Sequence, residues 1–241
     1  MDRNQIQTRI RFASLHLAIS GLVLAAISTV VFICWYPNDL LEIQGGFFVL
    51  GMVVLVDLCL GPLLTFAVYD TKKRELLRDL IVVVLIQLAA TSYGVWVLYS
   101  ERPAYLAFVH DRFFVVRAGD LFGPAGEAEF GRVGYGFGPA VVAVNMTART
   151  EMELAPEIEN AAAVPLFAAM PAGYQAISDA RSRLAHTGRS ATGGKLPHSV
   201  IALLEGDPQL RAYPVVGRKS SGFVVLNHQY PLDSIRVIAL N

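Results

Sequence analysis

The 241-residue chain is predicted to be a membrane protein with three transmembrane α-helices followed by a C-terminal α+β domain. Three observations predict this class. Long uncharged apolar segments recur in the first hundred residues, the links between them differ in charge, and residues 101–241 mix short strand-like and helix-like runs with glycine and proline. The expected domains are residues 1–100 for the membrane part and residues 101–241 for an external domain.

The apolar segments cover residues 12–35, 43–69 and 80–99, and Asp57 is their only Asp, Glu, Lys or Arg. A helix rises about 1.5 Å per residue, so roughly 20 residues cross a bilayer core of about 30 Å. Spans are therefore predicted at about 12–35, 47–69 and 80–99. The first apolar run is too long for a signal-peptide core, and no small-residue cleavage site follows it, which predicts an uncleaved anchor.

Charge in the flanks predicts the orientation. The link at residues 36–42 carries Asp39 and Glu42 and no basic residue. Basic residues instead precede the first span and separate the second from the third, at Arg3, Arg9, Arg11, Lys72, Lys73, Arg74 and Arg78. Because cytoplasmic flanks are rich in Lys and Arg, the N-terminus is predicted inside and residues 101–241 outside. The simplest location is the bacterial inner membrane, with a periplasmic C-terminal domain.

The external domain is predicted to be α+β from its pattern of apolar runs and turn residues. Expected strands are residues 104–109, 113–117, 140–146, 222–226 and 234–240, and expected helices are residues 172–187 and 197–204. The first two strands form a hairpin around residues 110–112. Loops or turns are expected at residues 123–139, 186–196 and 227–233, where glycine, proline and polar residues concentrate.

Motifs for catalysis, metals and nucleotides are weak. The histidines His110, His186, His198 and His228 are scattered, without ligand spacing. Residues 188–192 lack the last glycine of a nucleophile elbow, and residues 193–195 lack the upstream glycine of a phosphate loop. No catalytic residue, metal or cofactor is predicted, and no basic surface indicates nucleic acid. Cys34 and Cys59 differ in depth by more than about 10 Å, too far for a disulfide.

Asp57 is the residue that most needs an explanation. An ionised side chain at mid-membrane costs at least about 2.5–3.5 kcal/mol, so it usually faces a bundle interior. Asp57, Gly61 and Thr65 are spaced by four and share one helix face. Pro62 lacks an N–H and leaves a backbone carbonyl without its donor, which a neutral Asp57 could help to satisfy. The glycine makes a notch suited to another helix.

The third span carries a matching polar stripe of Gln87, Thr91 and Gly94, with Thr91 at about the depth of Asp57. The two stripes are expected to pack together or to receive a partner helix jointly. A purely structural role in holding the three helices together stays open, because polar contacts between spans are common. An intramembrane aspartyl protease is disfavoured, because no second carboxylate lies at mid-depth.

The run VDLCLGPLLT at residues 56–65 resembles the motif of the type IV pilin accessory proteins. Further pieces agree in order, namely RELLRDL at residues 74–80, IQLAA at 86–90, YG at 93–94, RPAYLAF at 102–108 and DRF at 111–113. Together they cover roughly residues 45–118. Beyond them the likeness is looser, and the family's acidic and aromatic tail is missing.

The resemblance implies a non-enzymatic, inner-membrane chaperone that binds a specific type IV pilin and favours its addition to the pilus. Pilins carry a hydrophobic N-terminal helix with an acidic residue near its start. A groove floored by Gly61 would receive that helix, and the external domain would contact the globular head. The implied partner-binding residues are Asp57, Gly61, Pro62, Thr65, Gln87, Thr91, Gly94, Arg102, Pro103, Tyr105, Asp111, Arg112 and Phe113.

Two other functions stay open from the sequence. One is a membrane-anchored sensor with a periplasmic ligand-binding domain, although the inner segments of about ten residues leave little room for an output domain. The other is an intramembrane hydrolase, which lacks the expected carboxylate pair. The lipid bilayer is an expected partner in all three cases.

Overall fold

The computed structural model describes residues 3–70, 73–121, 138–161, 163–192, 196–232 and 235–240. The chain divides into two compact units. The helical unit comprises Met1–Val31 and Gly46–Tyr99, and the α+β unit comprises Phe32–Gly45 and Ser100–Asn241. The predicted fold class, three long apolar helices followed by an α+β domain, is confirmed.

Three described helices are long and apolar enough to cross a membrane, at Arg3–Trp35, Gly46–Val68 and Leu76–Ser100. The first consists of α1 (Arg3–Val30) and a π-helical turn at Val31–Trp35. The third is α5 (Leu76–Ser100), without interruption. The first and third helices begin before their predicted spans, because the helical backbone continues into the flanking residues, whereas the second begins at Gly46, next to its predicted start.

The second apolar helix changes its winding at mid-length. It comprises α3 (Gly46–Leu55), a π-helical turn at Val56–Leu60 and α4 (Gly61–Val68). In the turn, the N–H of Gly61 donates to the carbonyl of Val56, one residue further back than in an α-helix. The next residue, Pro62, cannot donate, so the irregular turn lies where the regular ladder would be interrupted anyway.

The link between the first two apolar helices belongs to the α+β unit. It contains α2 (Leu40–Gln44), which ends at Gly45 in the left-handed conformation with φ of 75°. A residue with a side chain rarely adopts that conformation, and glycine adopts it freely. The apolar side chains Leu40, Leu41 and Ile43 are all buried, so this short link contributes to the core of the α+β unit.

The α+β unit is built on a mixed sheet, with seven strands among the described residues in the order β4-β3-β1-β2-β5-β6-β7. The strands are β1 (Pro103–Val109), β2 (Arg112–Arg117), β3 (Ala140–Val144), β4 (Tyr174–Ala176), β5 (Leu210–Val216), β6 (Ser221–Asn227) and β7 (Arg236–Ala239). The β1–β3 and β2–β5 pairs are parallel and the other pairs are antiparallel. The predicted hairpin of β1 and β2 is present, with His110 at positive φ in its turn.

Helices pack against the sheet, in which successive strand residues point to opposite faces. The helices are α6 (Ala148–Glu159), α7 (Arg181–Thr187) and α8 (His198–Gly206). Ile158 of α6 packs with Tyr105, Val142 and other β1–β3 residues, while Val200 and Leu204 of α8 pack against β5 and β6. On the alternate strand positions, Phe108, Phe113 and Tyr213 form an aromatic cluster.

Buried tyrosines tie the sheet to the chain around it. The Tyr213 hydroxyl donates to the carbonyl of Leu184, and the Tyr174 hydroxyl donates to that of Ala168. Burial raises the pKa of both phenols, so both stay protonated donors.

Three stretches differ from the sequence prediction. The helix expected at residues 172–187 begins only at Arg181, because residues Tyr174–Ala176 pair with β3 as an edge strand. Both α6 and β5 were missed, and β5 contains Pro214, a residue that argues against a central strand. Its pairing with β2 starts only at Val215, beyond the missing N–H.

Five sequence features fall wholly or partly outside the described residues. They are Lys72 of the basic link, most of the loop expected at 123–139, residues 193–195, Asp233 at the end of the last expected turn, and Ser234 at the start of the last expected strand. At the start of that turn, Asn227 Oδ1 accepts from the N–H groups of Gln229 and Tyr230.

Candidate functional site

The mid-length carboxylate of the second apolar helix has a partner on the third helix. Asp57 lies in the π-helical turn and is only 5% exposed. The hydroxyl of Thr91 lies 2.8 Å from Asp57 Oδ1 and 2.7 Å from Oδ2. The equal depth expected for these two residues is therefore found in the structure. A hydroxyl has one proton, so it donates to one carboxyl oxygen at a time.

Two glycines allow close contact between the second and third helices. A Cβ on Gly61 would lie 2.0 Å from Nε2 of Gln87, and a Cβ on Gly94 would lie 2.2 Å from Cγ2 of Val53. Both distances are shorter than any real contact, so a Cβ at either position would displace the side chain that faces it. The polar stripes predicted on these helices thus pack against each other, and Gln87 fills the notch of Gly61.

The first helix joins this network through His16. Its Nδ1 lies 2.6 Å from the hydroxyl oxygen of Thr65, which is buried on the second helix. Nearer the N-terminus of the first helix, Phe12 stacks on Tyr69, and the two ring centroids are 4.2 Å apart. The second helix therefore has a polar contact with the first helix through Thr65 and one with the third helix through Asp57.

A cleft of about 350 Å³ lies among the three helices. Its polar lining residues are His16, Ser20, Asp57, Thr65, Gln87 and Thr91, and its apolar ones are Phe12, Leu15, Ile19, Val23, Leu80, Val84 and Leu88. The apolar residues come from the first and third helices, while the second contributes only Asp57 and Thr65. We call this site the polar-floored cleft.

The cleft is lined by groups that can form hydrogen bonds. It offers hydroxyl, amide and imidazole groups, all able to form hydrogen bonds, and a single carboxyl group. Two carboxyl groups that share a proton, as in an aspartyl protease, are not among its lining residues. Elsewhere in the described parts of the chain, no three His, Cys, Asp or Glu side chains come together as metal ligands.

The remaining predicted site residues are not among those that line the cleft. Pro62 follows Gly61 at the start of α4, outside the lining of the cleft. In the α+β unit, Pro103, Tyr105 and Phe113 are buried in β1 and β2, where they stabilise the sheet.

Polar residues of the same motif lie nearer the surface. Arg112 donates to Asp111 at 2.8 Å and to the carbonyl of Glu159, and it is partly exposed like Arg102. A partner that contacts this motif would therefore meet the side chains of Arg102, Asp111 and Arg112 rather than the buried aromatic ones.

His16 and Ser20 were missed from the sequence. The signal for them was present, because a histidine interrupts an otherwise apolar segment and Ser20 follows four residues later on the same helix face. The same rule that singled out Asp57, a polar side chain at membrane depth, applies to His16.

Comparisons with known proteins find similarity to fimbrial assembly proteins. A family model described as fimbrial assembly protein FimB matches residues 4–45. The fimbrial assembly protein of serogroup I from Dichelobacter nodosus is 32% identical over 123 residues, which is 50% of this chain and 48% of that protein. The fimbrial assembly protein of serogroups C1 and C2 from the same organism is 30% identical over 123 residues, which is 50% of this chain and 94% of that protein.

The match to the serogroup I relative spans about half the length of that protein, whereas nearly all of the serogroups C1 and C2 relative is covered. No solved structure matches the chain. The family predicted from the motif at residues 56–65 is confirmed by these matches, and the chain belongs to the family of fimbrial assembly proteins.

Proposed function

We propose that this chain is a non-enzymatic accessory protein of fimbrial assembly. It resides in the bacterial inner membrane, binds a type IV pilin subunit there, and promotes addition of that subunit to the growing fibre. The names of its relatives support the assembly role. The three apolar helices support the membrane location.

The observation that carries the proposal is the polar-floored cleft. A pilin N-terminal helix is hydrophobic and has an acidic residue near its start, as the family resemblance implies. The apolar walls of the cleft match the first property, and its polar floor matches the second. A polar group buried in lipid without a partner is costly, so a cleft of this composition favours a helix that carries one polar group.

The hydrogen bonding of Asp57 suggests how the acidic residue is received. Thr91 donates to Asp57, so the hydrogen-bond partner of the carboxyl group is a neutral hydroxyl. In its neutral form Asp57 keeps an O–H that can donate to the acidic residue of the client. Two ionised carboxylates at this depth would repel each other, so the proposal requires one of them to be neutral.

The α+β unit supplies a second contact in this proposal. It lies in the periplasm and meets the globular head of the same pilin, with Arg102, Asp111 and Arg112 as contact residues. Two linked contacts raise the effective concentration of each, so weak individual contacts suffice for retention of the client.

The experiment compares two substitutions on the first helix. Ile19 lines the cleft, and Leu22 is 75% exposed and is not part of its lining. Ile19→Trp fills the cleft and should abolish both co-purification of pilin and surface pili, while Leu22→Trp should leave both unchanged. Equal amounts of pilin and pili in the two variants, at equal accumulation in the membrane, would refute binding in the cleft.

A further inference from the structure

The amide of Gln87 is buried in the lining of the polar-floored cleft without a hydrogen-bond partner. The residue is only 7% exposed. Other polar residues of the lining are paired, since Asp57 bonds to Thr91 and His16 bonds to Thr65. Within the part of the chain that the structure describes, neither Oε1 nor Nε2 of Gln87 has such a bond. Buried polar groups are nearly always paired, so an unpaired amide in a cleft indicates an absent partner.

Both polar atoms of this amide are accessible. Among the described residues, the unpaired side-chain atoms that are fully enclosed are Nε of Arg9, Nε2 of Gln44 and Oγ of Ser220. The two unpaired atoms of Gln87 are not among them, so each retains accessible surface, and Gln87 lines the cleft. Its packing into the notch of Gly61, where a Cβ would lie 2.0 Å from Nε2, holds the amide in place.

The chemistry of an amide defines the group that would pair with it. Oε1 accepts a hydrogen bond and the NH2 group donates, so the partner must supply both a donor and an acceptor. An ionised carboxylate supplies acceptors only, and it is costly among apolar walls. A neutral carboxyl group has an O–H and a carbonyl oxygen side by side, and it matches the amide with two hydrogen bonds. A second carboxamide would match it in the same way.

We propose that Gln87 binds the acidic side chain of the client helix in its neutral form. The O–H of the client donates to Oε1, and the client carbonyl oxygen accepts from Nε2. That oxygen keeps a second lone pair for the O–H of a neutral Asp57, whose partner Thr91 lies one helical turn after Gln87 on the same face. This inference rests on the proposed function and names the protonation state of the bound acid.

Gln87→Met tests the role of the amide, because methionine has a similar length and is a poor hydrogen-bonding group. The amount of pilin that co-purifies per chain should fall about tenfold, as expected for the loss of two hydrogen bonds. The thermal stability of the client-free chain should not fall, because the substitution removes an unpaired buried amide. Leu85→Met, at an exposed residue outside the lining, is the control and should change neither quantity. Co-purification equal to that of the parent chain, or a lower thermal stability, would overturn the proposal.

Variants of the client distinguish a neutral acid from an ionised one. Replacing the acidic residue of the pilin helix by its amide should preserve co-purification with the parent chain, since the amide offers the same donor and acceptor. Replacing it by alanine should lower co-purification, and Gln87→Met should cause no further loss with that client. Loss of co-purification with the amide client would show that the bound acid is ionised and would refute the proposal.

The Ile19→Trp and Leu22→Trp pair separates this inference from the proposed function. If Ile19→Trp abolishes co-purification and Gln87→Met does not, pilin binds in the cleft and the role of Gln87 is refuted. If Ile19→Trp and Leu22→Trp both leave co-purification unchanged, the proposed function itself fails.

Discussion

An acidic side chain inside an apolar helix needs a hydrogen-bond partner, and Asp57 has one in Thr91 of the third helix. The surrounding π-helical turn positions this carboxyl group. Irregular turns of this kind are frequent at functional sites, but the same contact also holds two helices together. Substitutions that separate charge from shape can distinguish the two roles.

We predict that Asp57→Asn retains fimbrial assembly and that Asp57→Leu loses it. Asparagine keeps the shape and the hydrogen-bonding capacity, and it is always neutral, whereas leucine removes every polar contact with Thr91. The measurement is the amount of surface pili at equal accumulation of the protein in the membrane. Full assembly with Asp57→Leu would show that the carboxyl group is dispensable.

Gly61 and Gln87 are predicted to be energetically coupled, because a Cβ at residue 61 would overlap the amide of Gln87. Gly61→Leu alone should lower the thermal stability of the detergent-solubilised protein. Adding Gln87→Ala should restore part of the loss, because the double variant removes the overlapping atoms. Gly51→Leu is the control, since nothing lies within 4 Å of its Cβ position. Additive effects of the two substitutions would contradict the contact.

Individual residues differed in how well the sequence predicted them. Asp57 could be identified because a charge in an apolar run is costly wherever the helix packs. Its pairing with Thr91 followed from counting depth along two helices. The hydrogen bond from the backbone N–H of Arg218 to Gln44 Oε1 could not be predicted, because it depends on how a five-residue helix packs against a turn far along the chain.

At the scale of elements, α2 docks onto the turn between β5 and β6. The carbonyl of Ile43 accepts from the N–H groups of Lys219 and Ser220 at 3.0 and 3.2 Å. The Ile43 side chain is fully buried, and a Cβ on Gly217 would lie 2.1 Å from its Cγ2. Asp39, just before α2, also accepts from the N–H of Ala239 in β7. The link therefore packs against one end of the sheet.

We predict that Ile43→Ala destabilises the α+β unit by about 2–5 kcal/mol, the usual cost of a large-to-small change at a fully buried site. Pulse proteolysis of the full chain across a urea series measures this free energy of unfolding. Leu232→Ala, at a residue that is 67% exposed, is the control and should change it little. A loss no larger than that of the control would show that α2 does not stabilise the sheet.

The elements that the sequence predicted are those with a strong local pattern. Strands β1 and β2 have apolar, β-branched or aromatic runs around a short turn, and the apolar helices are long and uncharged. Strand β4 has only three residues and acquires its conformation by pairing with β3. Strand β5 contains Pro214 and still pairs with β6. This pairing depends on tertiary contacts that the local sequence does not show.

At the scale of the whole molecule, the proposed topology depends on charge. Basic residues precede the first and the third apolar segments, and Arg9 pairs with Asp70 at 3.6 Å. We predict that a reporter fused after Asn241 reads as periplasmic and one fused at Lys73 reads as cytoplasmic. Alkaline phosphatase and fluorescent-protein fusions measure the two sides. A cytoplasmic C-terminal fusion would contradict the three-span arrangement.

The central claim is that a pilin helix occupies the polar-floored cleft, and photo-crosslinking in living cells tests it most directly. A photoreactive amino acid is placed at Ile19 or Leu88, which line the cleft, and at Leu22 or Leu85, which are equally apolar, exposed and outside its lining. We predict covalent pilin adducts from the first pair and none from the second. Adducts from all four positions alike, or from the second pair only, would contradict binding in the cleft.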